Sequence, residues 1–107
     1  MCLVAFAFGV SGDYPMIFAA NRDEHHARPT AAAHWWTESQ RILGGRDLLA
    51  GGTWLAVDQL GRLAAVTNVP SPSGATYTKS RGHLVTDSLA GEAPAQEFIS
   101  RLQEAPQ

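Results

Sequence analysis

Residues 1–24 read Met1-Cys2-Leu3-Val4-Ala5-Phe6-Ala7-Phe8-Gly9-Val10-Ser11-Gly12-Asp13-Tyr14-Pro15-Met16-Ile17-Phe18-Ala19-Ala20-Asn21-Arg22-Asp23-Glu24. Two apolar runs of strand length, 3–9 and 16–20, are separated by Gly9, Ser11, Gly12 and Asp13, with Pro15 restarting the chain in extended geometry. That pattern predicts an antiparallel hairpin, with the first strand buried on both faces because its apolar run is continuous. In such a hairpin the start of strand one lies beside the end of strand two. Cys2 and the polar cluster Asn21-Arg22-Asp23 are therefore expected to be neighbours.

The same logic carries down the chain. Residues 24–40 offer no clear period and read as irregular. The glycine pairs Gly44-Gly45 and Gly51-Gly52 mark tight turns or close backbone approaches. Residues 53–58 and 62–68 flank Gln59-Leu60-Gly61, a second hairpin signal with glycine available for positive φ. Pro70 to Ser80, rich in Pro and hydroxyl residues, reads as a surface loop. Leu84, Val85 and Leu89, followed by Gly91, suit a short helix; Pro94 opens another whose Phe98, Ile99 and Leu102 share a face. The expected class is α+β: antiparallel hairpins followed by helices, in a single domain spanning 1–107.

Composition narrows function. The chain has 107 residues, 45% hydrophobic and 17% charged, with net charge −2, so it lacks the basic footprint of a nucleic-acid binder. No apolar stretch reaches the roughly 18 residues of a membrane span. The apolar start has no basic n-region and no cleavage signal, which argues against a signal peptide and for a cytoplasmic protein. A single cysteine excludes an intramolecular disulfide and a thiolate-rich zinc site. His25 and His26 are adjacent, so they point apart and make a poor chelating pair. They read as solvated loop histidines, with a weak haem or metal ligand as the alternative, and no metal site is expected. Gly44-Gly45 and Gly51-Gly52 lack the Gly-Lys-Ser/Thr of a phosphate loop. Arg46-Asp47 reads as an ion pair in a turn, with a site-facing role for Arg46 as the alternative. Trp35, Trp36 and Trp54 read as core and rim packing.

Cys2 stands out by position. A free cysteine is usually a small buried hydrophobe. At position 2, however, its small side chain permits removal of Met1, leaving an α-amino group on the nucleophile's own residue. That amine has an ordinary pKa of about 7.7–8.0 and can act as a general base near neutrality. Asp23 can hold that amine or accept a substrate amine, and Arg22 can orient a carboxylate or stabilise negative charge.

Met1-Cys2, Ala19 to Glu24, Arg28-Pro29-Thr30, His34-Trp35-Trp36, Leu43 to Asp47, Ala50 to Val57, Leu63 to Asn68 and Ser80-Arg81-Gly82 follow one another in the order seen in the NRDE, or TANGO2-like, family, named for residues 21–24. The chain resembles that family from Met1 to about Gly91. Family members are normally more than twice as long, so the resemblance implies an N-terminal fragment. More distantly, the family is similar to cysteine N-terminal-nucleophile (Ntn) hydrolases of the penicillin V acylase and bile salt hydrolase type. This likeness implies the N-terminal half of an αββα sandwich and hydrolysis of a non-peptide carbon–nitrogen bond in a small-molecule amide. It further implies Cys2 as nucleophile, Asp23 on the α-amine and Asn68 as an oxyanion donor, with Arg22 assisting. Asn21, Arg46 and Trp54 would contact substrate. Those hydrolases place an arginine just before the turn's asparagine, where this sequence has Ala20, and carry Arg22 after it instead. Eukaryotic members of the family are linked to secretory-pathway organisation and haem trafficking. The alternative implied is a non-enzymatic carrier, with haem as ligand and Arg22 or Arg46 facing its propionates.

Overall fold

Glycine and proline punctuation sets the first element pair. In the computed structural model, which describes residues 2–39, 41–68 and 79–104, β1 (Leu3–Phe8) pairs antiparallel with β2 (Met16–Asn21). The register runs from Leu3 opposite Asn21 to Phe8 opposite Met16. Gly9 takes φ +65° at the turn, and its N–H donates to the Pro15 carbonyl at 2.9 Å. Only a residue without Cβ adopts that conformation freely.

The expected burial of β1 on both faces is not what forms. Leu3, Phe6 and Phe8 are 63%, 63% and 64% exposed. The hairpin is its own two-stranded sheet, and no other described strand or helix packs extensively on it. A continuous apolar run reports what a strand could bury, not what is there to cover it. Phe6 and Phe8 instead contact each other edge to face, with ring centroids 5.5 Å apart.

A four-stranded antiparallel sheet follows, in the order β3 (Thr30–Trp35), β4 (Ile42–Asp47), β5 (Leu55–Asp58), β6 (Leu63–Ala65). The β5–β6 hairpin matches expectation: Gly61 has φ +78°, and Asp58 Oδ1 accepts the N–H groups of Leu60 and Arg62. Residues 30–35 are a strand, not the irregular segment expected. Its pairing with β4 shifts register between Ala31 and His34. Gly44 and Gly45 lie inside β4, so of the two readings for that pair, close approach is the one that holds. A Cβ on Gly44 would sit 2.9 Å from the Leu55 carbonyl oxygen of β5.

Two helices complete the α+β fold: α1 (Gly82–Ala90) and α2 (Ala95–Glu104). α1 packs on β4, β5 and β6 through Val85 and Leu89, which lie four residues apart on one face. With Trp36, Ile42 and Ala56 they make the buried core, and Ala64 and Val66 pack against it. The Trp36 indole N–H donates to the Gly44 carbonyl at 3.1 Å. Trp35 points outward at 48% exposure, so the tryptophans divide as core, rim and, for Trp54, site. Arg62 ties the layers by bonding Asp58 Oδ2 at 2.7 Å and the Leu89 carbonyl at the end of α1. The loop expected over Pro70–Ser80 lies outside the described residues except for Lys79 and Ser80. No helix among the described residues is long and apolar enough to cross a membrane.

Candidate functional site

The β1–β2 register fixes the first contact of the site. With Leu3 opposite Asn21, the chain before β1 meets the chain after β2, and the backbone N–H of Asp23 donates to Cys2 Sγ at 3.5 Å. Arg22 lies between these positions, with its Nη2 bonded to Glu24 Oε2 at 3.1 Å. Asp23's carboxyl is held below its ordinary value, chiefly by a hydrogen bond from the N-terminal ammonium and then by that group's charge.

The hairpin end abuts the four-stranded sheet across a cleft of about 150 Å³. Cys2 and Arg22 face it from one side, Thr53 and Trp54 from the approach to β5, Asn68 from beyond β6, and Ser80, Arg81 and Gly82 from the start of α1. Gly52 permits this closeness. A Cβ there would fall 2.7 Å from the Gly82 carbonyl carbon, and the Thr53 N–H donates to the Gly82 oxygen. The first turn of α1 holds no acidic residue and no side-chain cap.

Beneath the cleft runs a chain of charges. Glu24 bridges Arg22 and Arg28, and Arg28 Nη2 lies 2.6 Å from Asp47 Oδ2. Asp47 is 8% exposed, and its Oδ1 accepts the N–H groups of Leu49 and Ala50, shaping the turn into Gly51 and Gly52. The Arg28 hydrogen bond is the main reason its carboxyl is lowered from 3.8 to about 2, with the Leu49 and Ala50 N–H groups adding to it. Arg28 and Glu24 also line an adjoining space of about 330 Å³ that shares Arg22, Asp47, Thr53 and Trp54 with the first.

Of the residues singled out from sequence, Cys2, Arg22, Trp54 and Asn68 share one cleft. Asp23 touches Cys2 through its backbone, and Asn21 sits at the end of β2, facing Leu3 in the ladder. Arg46 lines only the adjoining space. Arg46 is not paired with Asp47, because adjacent residues of a strand face opposite ways. It bonds Glu38, donates to the Gly51 carbonyl and stacks 4.2 Å over the Trp36 ring. His25 and His26 are exposed, and no cluster of three or more His, Cys, Asp or Glu suited to a metal occurs among the described residues. The Arg28–Asp47 pair and the Arg81 contribution escaped the sequence reading. Ser80-Arg81-Gly82 and Gly51-Gly52-Thr53 were visible as motifs, but nothing in the sequence tied them to Cys2.

Fold and site together describe an α+β protein that presents a strand-leading cysteine to an arginine-lined cleft. A family profile described as Transport and Golgi organisation 2 matches residues 1–107, and the chain belongs to that family. It is 37% identical over 109 residues to the human Transport and Golgi organization protein 2 homolog, covering 95% of this chain and 40% of the relative. The mouse homolog is 36% identical with the same coverage, and the Drosophila melanogaster protein 36% over 99 residues, covering 81% of this chain and 34% of its own. The chain thus spans at most 40% of the length of these relatives.

Proposed function

We propose that this chain carries the nucleophile of an Ntn-type amidohydrolase acting on a carbon–nitrogen bond other than a peptide bond. The observation that carries the reading is the Asp23 N–H aimed at Cys2 Sγ, in a cleft that Arg22 and Asn68 also line. Once Met1 is removed, the α-amine of Cys2 takes the Sγ proton and sulfur attacks the amide carbonyl, whose π electrons move to oxygen. An Asn68 side-chain N–H stabilises that oxyanion, a type of contact worth about 3 kcal/mol where measured in other enzymes. Collapse breaks the carbon–nitrogen bond, and the departing amine takes the proton held on the α-ammonium. Water then attacks the thioester, releasing the acid and restoring the thiol. Asp23, whose backbone N–H lies 3.5 Å from Cys2 Sγ, holds the ammonium of the processed chain. Trp54 offers an apolar wall and Arg22 a positive one, while Asn21 and Arg46 act further along the substrate. No cofactor enters the reaction. We propose the cytoplasm as its compartment, since a thiol nucleophile needs reducing surroundings.

The test is hydrolysis of a panel of small N-acyl p-nitroanilides with intact mass recorded alongside. The reading expects loss of Met1 and release of nitroaniline that Cys2→Ala abolishes. Equal release by Cys2→Ala would overturn it.

A second reading, a non-enzymatic carrier of haem or another small apolar molecule, draws on a different observation. An apolar groove of about 460 Å³ lies between β6, α1 and α2, lined by Leu63, Leu84, Phe98, Ile99 and Leu102 among others. A haem titration with no Soret shift would remove it.

A further inference from the structure

The charges around Cys2 do not balance. Three arginines and two carboxylates line its cleft. Arg22 is matched by Glu24 at 3.1 Å and Arg28 by Asp47 at 2.6 Å. Arg81 is left over, exposed and without an ion pair among the described residues. No Asp or Glu among the described residues pairs with it. All ten Asp and Glu residues lie among the described positions, and the stretch 69–78, read as sequence, contains neither. Asp87, on the helix that Arg81 precedes, is held by Lys79 at 3.2 Å. The positive end of α1, which begins at Gly82, adds to the guanidinium's charge on the same wall.

We infer that Arg81 is a specificity-determining residue that binds an anionic group of the substrate, so that the amide presented to Cys2 carries a carboxylate or a comparable negative group. This rests on the hydrolase reading for the identity of the reaction, but not for the binding of the anion. A guanidinium is suited to the task because its planar fork meets a carboxylate with two parallel N–H donors. The size of the cleft fits as well. About 150 Å³ holds a single benzene-sized group, enough for the reacting carbonyl and a small charged end. The remainder of a larger amide would extend into the adjoining 330 Å³ space beside Trp54.

The test uses the lone thiol as a reporter. Cys2 is the only cysteine of the chain, so alkylation is read at one atom. Iodoacetate and iodoacetamide both place a carbon on Sγ and expel iodide, and they differ in one negative charge. Their rate ratio at low salt, divided by the ratio for the same chain unfolded in urea, measures local preference for an anion. The folded chain is expected to favour iodoacetate by roughly fivefold, about 1 kcal/mol of charge attraction in a solvated site. Arg81→Gln should remove most of that preference, Arg81→Lys should keep part of it, and about 0.5 M salt should weaken it through screening. Circular dichroism of each variant verifies that the exposed substitution leaves the fold intact. An unchanged ratio in a folded Arg81→Gln protein overturns the inference. Its failure is separable from that of the hydrolase reading. If Cys2→Ala abolishes nitroanilide release while Arg81→Gln leaves the ratio untouched, the anion site falls and the hydrolase stands. If Arg81→Gln lowers the ratio while Cys2→Ala still releases nitroaniline, the hydrolase falls and the anion site stands.

Discussion

The backbone N–H of Asp23 reaches Cys2 Sγ across 3.5 Å, although 21 positions separate them in sequence. The link follows from pairing alone, since Leu3 opposite Asn21 brings the residue before β1 to the segment after β2. A one-residue slip would break it and turn the strand's side chains over. The catalytic reading therefore stands on a register, and the register on the turn between Gly9 and Pro15.

In the folded chain that retains Met1, Asp23's carboxyl should titrate below 3.8, because the N-terminal ammonium donates to it and attracts it. Acetylating the α-amine removes both effects, so the titration followed by carbon-13 NMR should then rise toward the ordinary value. An unchanged titration would show that the ammonium is not its partner.

Asp47 gives a stability prediction with a sign. Its folded carboxyl titrates near 2 and its unfolded one near 3.8. A lowered folded value means the stabilisation is present above about pH 4 and is lost as pH falls through about 2. Allowing for solvent screening, the contribution is about 1–2 kcal/mol. Arg28→Met should lower stability by a similar amount at neutral pH and flatten the acid limb, as read by urea unfolding between pH 2 and 6.

Gly52 should resist substitution. A Cβ there would meet three backbone atoms of Gly82 at 2.7–3.0 Å, and backbone cannot swing aside as a flexible side chain can. Gly52→Ala should cost about 1–3 kcal/mol and push α1 away from the cleft. Gly12→Ala, with nothing within 4 Å of its added Cβ, should be close to neutral when the two variants are compared by thermal melting.

Most of the architecture was legible in local signals. The β1–β2 and β5–β6 hairpins are marked by turn residues, and the helices by the spacing of Val85 with Leu89 and of Phe98 with Leu102. Gly91 does follow α1, but with extended backbone (φ −93°, ψ 172°) rather than a left-handed cap. The β3–β4 pair was hidden because Ala31, Ala32 and Ala33 have weak strand preference and β4 carries two glycines. What makes them strands is tertiary: close approach to β5 at Gly44 and the Trp36 bond to the Gly44 carbonyl. The site was half legible. Cys2 and Asp23 meet through the hairpin, whereas Arg28 finds Asp47 across 19 positions by a route no local pattern records.

Attack by Cys2 on the amide carbon would leave an acyl group on sulfur. Intact-mass analysis of rapidly quenched mixtures with an N-acyl p-nitroanilide tests it most directly. A chain lacking Met1 is expected to gain transiently the mass of one acyl group, with the adduct mapping to Cys2 and absent from Cys2→Ala. Nitroaniline release with no adduct on Cys2, undiminished in Cys2→Ala, would contradict it.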